Sequence, residues 1–229
     1  MIRKRLVVLT GAGISAESGI RTFRDMGGLW EEYDVMEVAS IDGWKRNPQL
    51  VLKFYNDRRR QLQNAQPNLA HISLANAEKD FIVNIITQNV DNLHERAGSS
   101  RILHLHGELQ KAQSTADPNH IIDIGYNDIN WGDKCPKGYQ LRPHIVWFGE
   151  AVPAMSDAIK LTQSAEIFAV VGTSLNVYPA ASLLDYVPKS CPIYLIDPND
   201  VGIFQRNVTV IKEKASVGVT ILLDMLKNN

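Results

Sequence analysis

Four short stretches carry most of the residues able to do chemistry. The first is Gly11-Ala12-Gly13-Ile14-Ser15-Ala16, directly after Leu6-Val7-Val8-Leu9-Thr10. A strand running into G-x-G-x-x-A is the turn that cradles a pyrophosphate. The first glycine makes the bend, the second lets the backbone approach the phosphates, and the small third residue lets the next helix pack close to the strand. That helix would aim its free N–H groups at the phosphates. A dehydrogenase would also need an acidic residue about 20 positions later, ending a second strand and holding the ribose. Here residues 23–32 read as a loop around Gly27-Gly28. The nucleotide is therefore not expected to be read as in a hydride-transfer enzyme.

The second stretch is Thr87-Gln88-Asn89-Val90-Asp91-Asn92, which follows the apolar run 81–86. Ligands of α/β sheets sit beyond the carboxyl ends of strands, and amide and carboxylate side chains there can hold an amide, a water or a ribose. Asn89 or Asp91 also reads as a cap for a helix over 93–97. The third is His104-Leu105-His106-Gly107. Strand residues two apart share a face. As a metal pair the histidines would need a further ligand, and no His or Cys lies close in sequence. They read as hydrogen-bonded core histidines or, for His106 beside the open Gly107, as a general base near neutral pH. The fourth is a helical stripe with Val51, Phe54, Tyr55 and Leu62, which places Arg58 where the period asks for an apolar side chain. Arg58 reads as a snorkelling member of the run Arg58-Arg59-Arg60. It also reads as the partner of a carboxylate, with Tyr55 adding a hydrogen bond.

Elements must position these groups. Apolar runs at 6–9, 81–86, 102–105, 145–148, 167–171, 193–196 and 208–211 are short and rich in Val and Ile. They read as strands buried on both faces of a parallel sheet. Helical patterns at 50–62, 69–77, 180–187 and 217–226 lie between several of them. The alternation predicts a doubly wound α/β fold. Residues 24–46 and 111–143 break it and are assigned to a small second lobe.

Composition narrows the function classes. The chain has 229 residues, 45% apolar and 21% charged, with 24 Lys+Arg against 25 Asp+Glu and a net charge of −1. That balance gives no field for nucleic acid. Two cysteines, Cys135 and Cys191, exclude a disulfide framework and a four-thiolate zinc site, and fit a reducing compartment. No apolar run nears the roughly 18 residues of a membrane span. The expected location is the cytoplasm. No oligomeric state is assigned.

Taken together, the motifs resemble the sirtuins. The carriers are Gly11 to Ile20 with Thr22-Phe23-Arg24, Thr87 to Asp91, His104-Leu105-His106-Gly107-Glu108, Pro143 to Glu150, and Gly172-Thr173-Ser174, in family order. The resemblance implies an NAD-dependent protein lysine deacylase: a Rossmann-like doubly wound parallel sheet with a small inserted lobe. It places the large lobe at about 1–24, 68–109 and 144–229, and the small one at about 25–67 and 110–143. Gly11, Ala12, Gly13, Gly172, Thr173 and Ser174 would face the NAD pyrophosphate. Ala16, Glu17, Thr22, Trp30 and Val90 would also touch NAD. Arg24 would hold the phosphate or ribose side, and Phe23 would shield the reacting carbon. Gln88 would contact the nicotinamide ribose, while Asn89 and Asp91 would bind the carboxamide and an ordered water. His106 would be the base. Asp197 or Asn199 would take the adenosine ribose and Ala215 would lie beside the adenine. Val146, Trp147, Phe148 and Gly149 would line the acyl-lysine tunnel, where the substrate peptide adds as a strand.

Two further features follow from the resemblance. Tyr55 and Arg58 match the Y-x-x-R pair of sirtuins that remove acidic acyl groups such as succinyl and malonyl, and Ala39 matches a small residue that widens the acyl pocket. Acetyl should still fit. Sirtuins usually carry zinc on two cysteine pairs, but here only Cys135 remains, so no zinc is expected. The small lobe should be packed instead by Ile121, Ile122, Ile124, Tyr126 and Trp131. The competing readings are mono-ADP-ribosyl transfer and a non-catalytic NAD sensor. His106, Asn89 and Asp91 argue against the sensor.

Overall fold

The computed structural model describes residues 3–21, 33–201 and 208–228. Among these, six parallel strands form the main sheet: β1 (Arg5–Thr10), β2 (Ile82–Thr87), β3 (Ile102–His104), β7 (Ile167–Val171), β8 (Ile193–Ile196) and β9 (Val208–Ile211). Their order is β3-β2-β1-β7-β8-β9. β1 pairs with β2 from Arg5↔Ile82 to Thr10↔Thr87 and with β7 from Leu6↔Ile167 to Thr10↔Val171. The winding reverses between β1 and β7, so the turns after these two strands flank the crevice where such sheets bind ligands.

The apolar runs are continuous because both faces of the sheet are covered. Leu6 and Val8 of β1 join Leu74 of α5 (Leu69–Ala77) and Leu222 of α8 (Ala215–Lys227) on one face. Val7 and Leu9 join Ala158 of α7 (Met155–Gln163) and Leu183 of a 3-10 helix (Ala180–Tyr186) on the other. Asn68 caps α5 through its side chain, and the ring of His71 accepts from the Asn68 backbone N–H.

A second sheet of three antiparallel strands, in the order β5-β4-β6, contains β4 (Gly107–Ser114), β5 (Ile121–Asp123) and β6 (Leu141–Ile145). Beside it lie α2 (Val35–Val38), α3 (Ile41–Arg46) and α4 (Pro48–Asn64), the last two opened by the side-chain caps Ser40 and Asn47. The run 145–148 is therefore not a strand of the parallel sheet. β6 ends at Ile145, and its apolarity serves a cluster with α4, where Ile145 and Trp147 meet Val51, Phe54 and Leu62.

The small lobe is packed differently from expectation. Leu52, Ala112, Ile129, Cys135 and Leu141 form its core, with Ile122 and Ile124 against them. Tyr126 packs on the neighbouring α4 cluster. Ile121 is 42% exposed because β5 is an edge strand whose alternate side chains face solvent, and Trp131, in a turn outside the strands, is 57% exposed. The residues do not fit zinc: buried Cys135 lies with its Sγ 3.5 Å from the Ser114 hydroxyl, and no cluster of three His, Cys, Asp or Glu gathers among the described residues. Among those residues no helix is long and apolar enough to cross a membrane.

Candidate active site

The crevice between the turns after β1 and β7 continues over the small lobe as one cleft of about 1010 Å³. It is lined by every described residue named above for NAD and for the acyl tunnel. Thr22, Phe23, Arg24 and Trp30 lie outside the described residues.

On the nucleotide side, two turns interlock. Gly11 N–H donates to Val171 O at 3.0 Å and Gly13 N–H to Gly172 O at 2.9 Å. These two amides are committed to the protein and are not free for a phosphate, contrary to the simplest reading of the motif. The glycines instead permit the approach: a Cβ on Gly13 would meet Gly172 Cα at 2.7 Å, and one on Gly172, at φ +62°, would meet Ile14 N at 2.4 Å. The helix α1 (Ala12–Ala16) starts inside the motif, and Ile14 and Ser15, not exposed Ala16, pack it against the sheet. Glu17 accepts from the backbone and hydroxyl of Ser216, capping α8 beside buried Ala215. Asp197 accepts from Asn199 N–H at 2.9 Å, a turn at the end of β8.

The loop after β2 is held from both sides. Gln88 donates to the Thr173 hydroxyl at 3.2 Å. Asn89 donates to Gly11 O at 3.0 Å and to Ser15 Oγ at 3.2 Å, and Ser15 donates to Asp91 Oδ2 at 2.9 Å. Asp91 Oδ1 accepts from Leu93 N–H at 3.1 Å, so it also caps α6 (Leu93–Ala97), and burial pushes its carboxyl up. The capping reading of this stretch is thus met at Asp91, which also lines the cleft with Asn89. Ser15 was named only as part of the motif, although it joins Asn89 to Asp91.

His106 Nδ1 lies 3.0 Å from Gln88 O. A carbonyl only accepts, so Nδ1 carries the hydrogen and Nε2 the lone pair. Burial lowers the affinity of His106 for a second proton, which the bond to Gln88 only partly restores. Burial thus favours the neutral ring, and the Gln88 carbonyl orients it.

Buried side chains build the acyl side. Tyr55 and Arg58 of α4 are 4% and 7% exposed and line the cleft with Ala39, while Arg58 stacks 5.7 Å from the Phe54 ring centroid. Burial lowers the Arg58 pKa from its ordinary value, against the pull of Tyr55 and Asp91. Trp147 Nε1–H donates to the Tyr55 hydroxyl at 3.0 Å, and burial holds that hydroxyl protonated, its pKa pushed up to about 12. Below Trp147 lies an ion pair that sequence reasoning missed. Arg142 stacks 3.4 Å from the indole centroid and grips Glu150 bidentately at 2.7 and 2.9 Å. Burial alone would raise Glu150, but Arg142 and the Trp147 N–H hold it below the usual carboxylate range. Residues 146–149 are pinned by Val146 N–H to His106 O at 2.9 Å and Phe148 N–H to Ala39 O at 2.9 Å.

Comparison with known proteins matches residues 11–179 to the model of the Sir2 family. The chain belongs to the Sir2 family. It is 55% identical over 229 residues, 97% of this chain and 98% of the relative, to an NAD-dependent protein deacylase of Bacteroides thetaiotaomicron. It is 59% identical over 213 residues, 93% of each chain, to one of Helicobacter pylori. Among solved structures, a mutant Sir2 homologue in complex with ADP-ribose superposes with a TM-score of 0.90 at 38% identity, covering 98% of this chain and 92% of that one. A Sir2 homologue in complex with NAD gives 0.87 at the same identity, covering 98% and 90%. This Sir2 chain thus carries the fold expected from its motifs.

Proposed function

We propose that this Sir2-family chain is an NAD-dependent protein lysine deacylase whose cleft favours acidic acyl groups, succinyl and malonyl, while still admitting acetyl. The general reaction rests on family membership and on relatives of matching length that are named NAD-dependent protein deacylases. NAD is the co-substrate, and it supplies a ribose carbon that becomes electrophilic as nicotinamide departs.

The protein's own residues then have distinct tasks. Asn89 and Asp91, joined through Ser15, hold the nicotinamide end. His106 Nε2 takes a proton from a ribose hydroxyl, since its Nδ1–H is held by Gln88 O. Gln88 and Thr173 face the ribose and phosphates together. Residues 146–149, anchored at His106 and Ala39, offer an edge for the substrate strand. The acylated lysine is the partner this arrangement takes.

One observation carries the acidic preference. The buried guanidinium of Arg58 lines the same cleft as His106, one helical turn from the Tyr55 hydroxyl, which accepts from Trp147 Nε1–H and keeps its own proton to donate. A buried cation beside an O–H that can donate is a receptor for a carboxylate. Arg58→Met tests it with succinyl- and acetyl-lysine peptides and NAD, both products being followed by mass spectrometry. Desuccinylation should fall about 100-fold in kcat/KM, the worth of a charged hydrogen-bonded pair, with deacetylation within about 3-fold. Equal losses on both peptides would remove the assignment, and ADP-ribose-labelled protein in place of acyl-ADP-ribose would favour ribosyl transfer.

A further inference from the structure

His104 is left unused by the reaction, yet its ring is as firmly placed as that of His106. Every backbone carbonyl from Thr87 to Val90 is held by a donor from the segment 104–109. Leu105 N–H donates to Thr87 O at 2.9 Å and Leu109 N–H to Val90 O at 2.8 Å. His106 Nδ1 serves Gln88 O at 3.0 Å, and His104 Nδ1 serves Asn89 O at 3.1 Å. Three of these bonds need no particular charge state. The fourth does, because His104 Nε2 also lies 2.8 Å from Glu95 Oε1.

A carbonyl and a carboxylate are both acceptors only. A neutral imidazole has one N–H and can serve one of them; the imidazolium serves both. The ring is 9% exposed, so water does not readily replace a lost partner. When the second proton leaves, the remaining one goes to the stronger, charge-assisted acceptor, Glu95. Asn89 O is then the group that loses its donor.

We propose that His104 is a positioning residue, held as an imidazolium between Glu95 and the Asn89 carbonyl, and that its deprotonation loosens the Asn89 loop and weakens NAD binding at high pH. The groups facing it agree. Glu95 on α6, Glu108 on β4 and Asp91 in the loop are carboxyl groups, and His94 on α6 and His144 on β6 are the histidines beside it. Burial opposes the charge, yet Glu95 chiefly, with Glu108 and the Asn89 carbonyl, raises the ring above its ordinary value. A raised folded-state value means that the grip is complete below about pH 6.5 and is lost as pH rises through the folded value. The charge in turn favours the ionised form of Asp91. The inference concerns the NAD half of the cleft and does not depend on which acyl group is removed.

The experiment pairs histidine 15N NMR with calorimetric NAD titration of the full chain, between about pH 7 and about pH 9. In the parent at about pH 7, both ring nitrogens of His104 should be protonated, and NAD affinity should fall about 5-fold over that range, the worth of one hydrogen bond. Glu95→Gln replaces the carboxylate by an amide that can donate to Nε2, so a neutral ring keeps Asn89 O satisfied. His104 should then titrate at lower pH and the affinity loss should vanish. His104→Leu should bind NAD weakly throughout, without the pH dependence. A singly protonated His104 ring at about pH 7, or identical pH dependence in parent and Glu95→Gln, would overturn the inference. If NAD failed to bind at any pH, the reading of the cleft would fall, and the NMR titration would still decide the state of His104.

Discussion

The two halves of the cleft are built on opposite principles. The nucleotide half is shaped mainly by backbone: glycine turns that touch, carbonyls held in series by two histidines, and a His106 that burial keeps short of a second proton. The acyl half is built on charge: buried Arg58, and buried Arg142 paired with half-buried Glu150 beneath Trp147. A dinucleotide brings its own charge and needs close approach with fixed dipoles. A short acyl chain has few atoms, and on the proposed reading the Arg58 cation supplies the discrimination that shape alone would not.

The sharpest break of this contrast is Arg142→Met. It removes both hydrogen bonds to half-buried Glu150, and the chain should lose about 2 kcal/mol of stability in urea unfolding. NAD affinity per folded molecule should not change; a parallel loss would mean that the halves are not separable. Gly13→Ala tests the other side. Its new Cβ would press on Gly172 Cα, so NAD affinity by calorimetry should drop about 100-fold, while desuccinylation and deacetylation lose rate in the same proportion. Trp147→Phe removes the donor to the Tyr55 hydroxyl and keeps an aromatic ring over Arg142. It should cost about 10-fold in kcat/KM on succinyl peptides and much less on acetyl ones.

The smallest effect concerns acid. Beneath the nucleotide half, His71 and His94 stack edge to face with centroids 4.8 Å apart, and both are fully buried. Burial lowers His71 to about 4 and His94 well below its ordinary value. The unfolded chain takes up protons first, so stability present above about pH 6.5 is lost as pH falls toward about 4. His71→Gln keeps a side-chain acceptor for the Asn68 N–H and should reduce this acid loss by about 1 kcal/mol. An unchanged slope would show that the nucleotide half does not rely on neutral histidines.

Legibility in sequence follows the same division. The parallel strands were readable because burial on both faces leaves continuous Val and Ile runs, and the glycine turn was readable because only glycine tolerates the contact with Gly172. β4 was not, because its buried positions include Gly107, Ala112 and Ser114, which carry no apolar period. α7 escaped for a similar reason, with only Ala158 and Thr162 buried. Tyr55 and Arg58 showed as a break in a helical stripe, but the Arg142–Glu150 pair gave no such sign. Its partners lie on β6 and in the following turn, and their role depends on an indole placed above them. The commitment of the Gly11 and Gly13 amides was equally invisible, since it depends on a turn far along the chain.

That commitment has a consequence for synthesis. The first glycine turn is synthesised well before the turn that completes it, at Gly172. Until then β1 has β2 on one flank and an empty edge on the other. A product cut short before β7 would already contain His106, Tyr55 and Arg58 but only one of the two interlocking turns. Truncation before β7 should therefore cost the chain its grip on NAD, and not merely slow it.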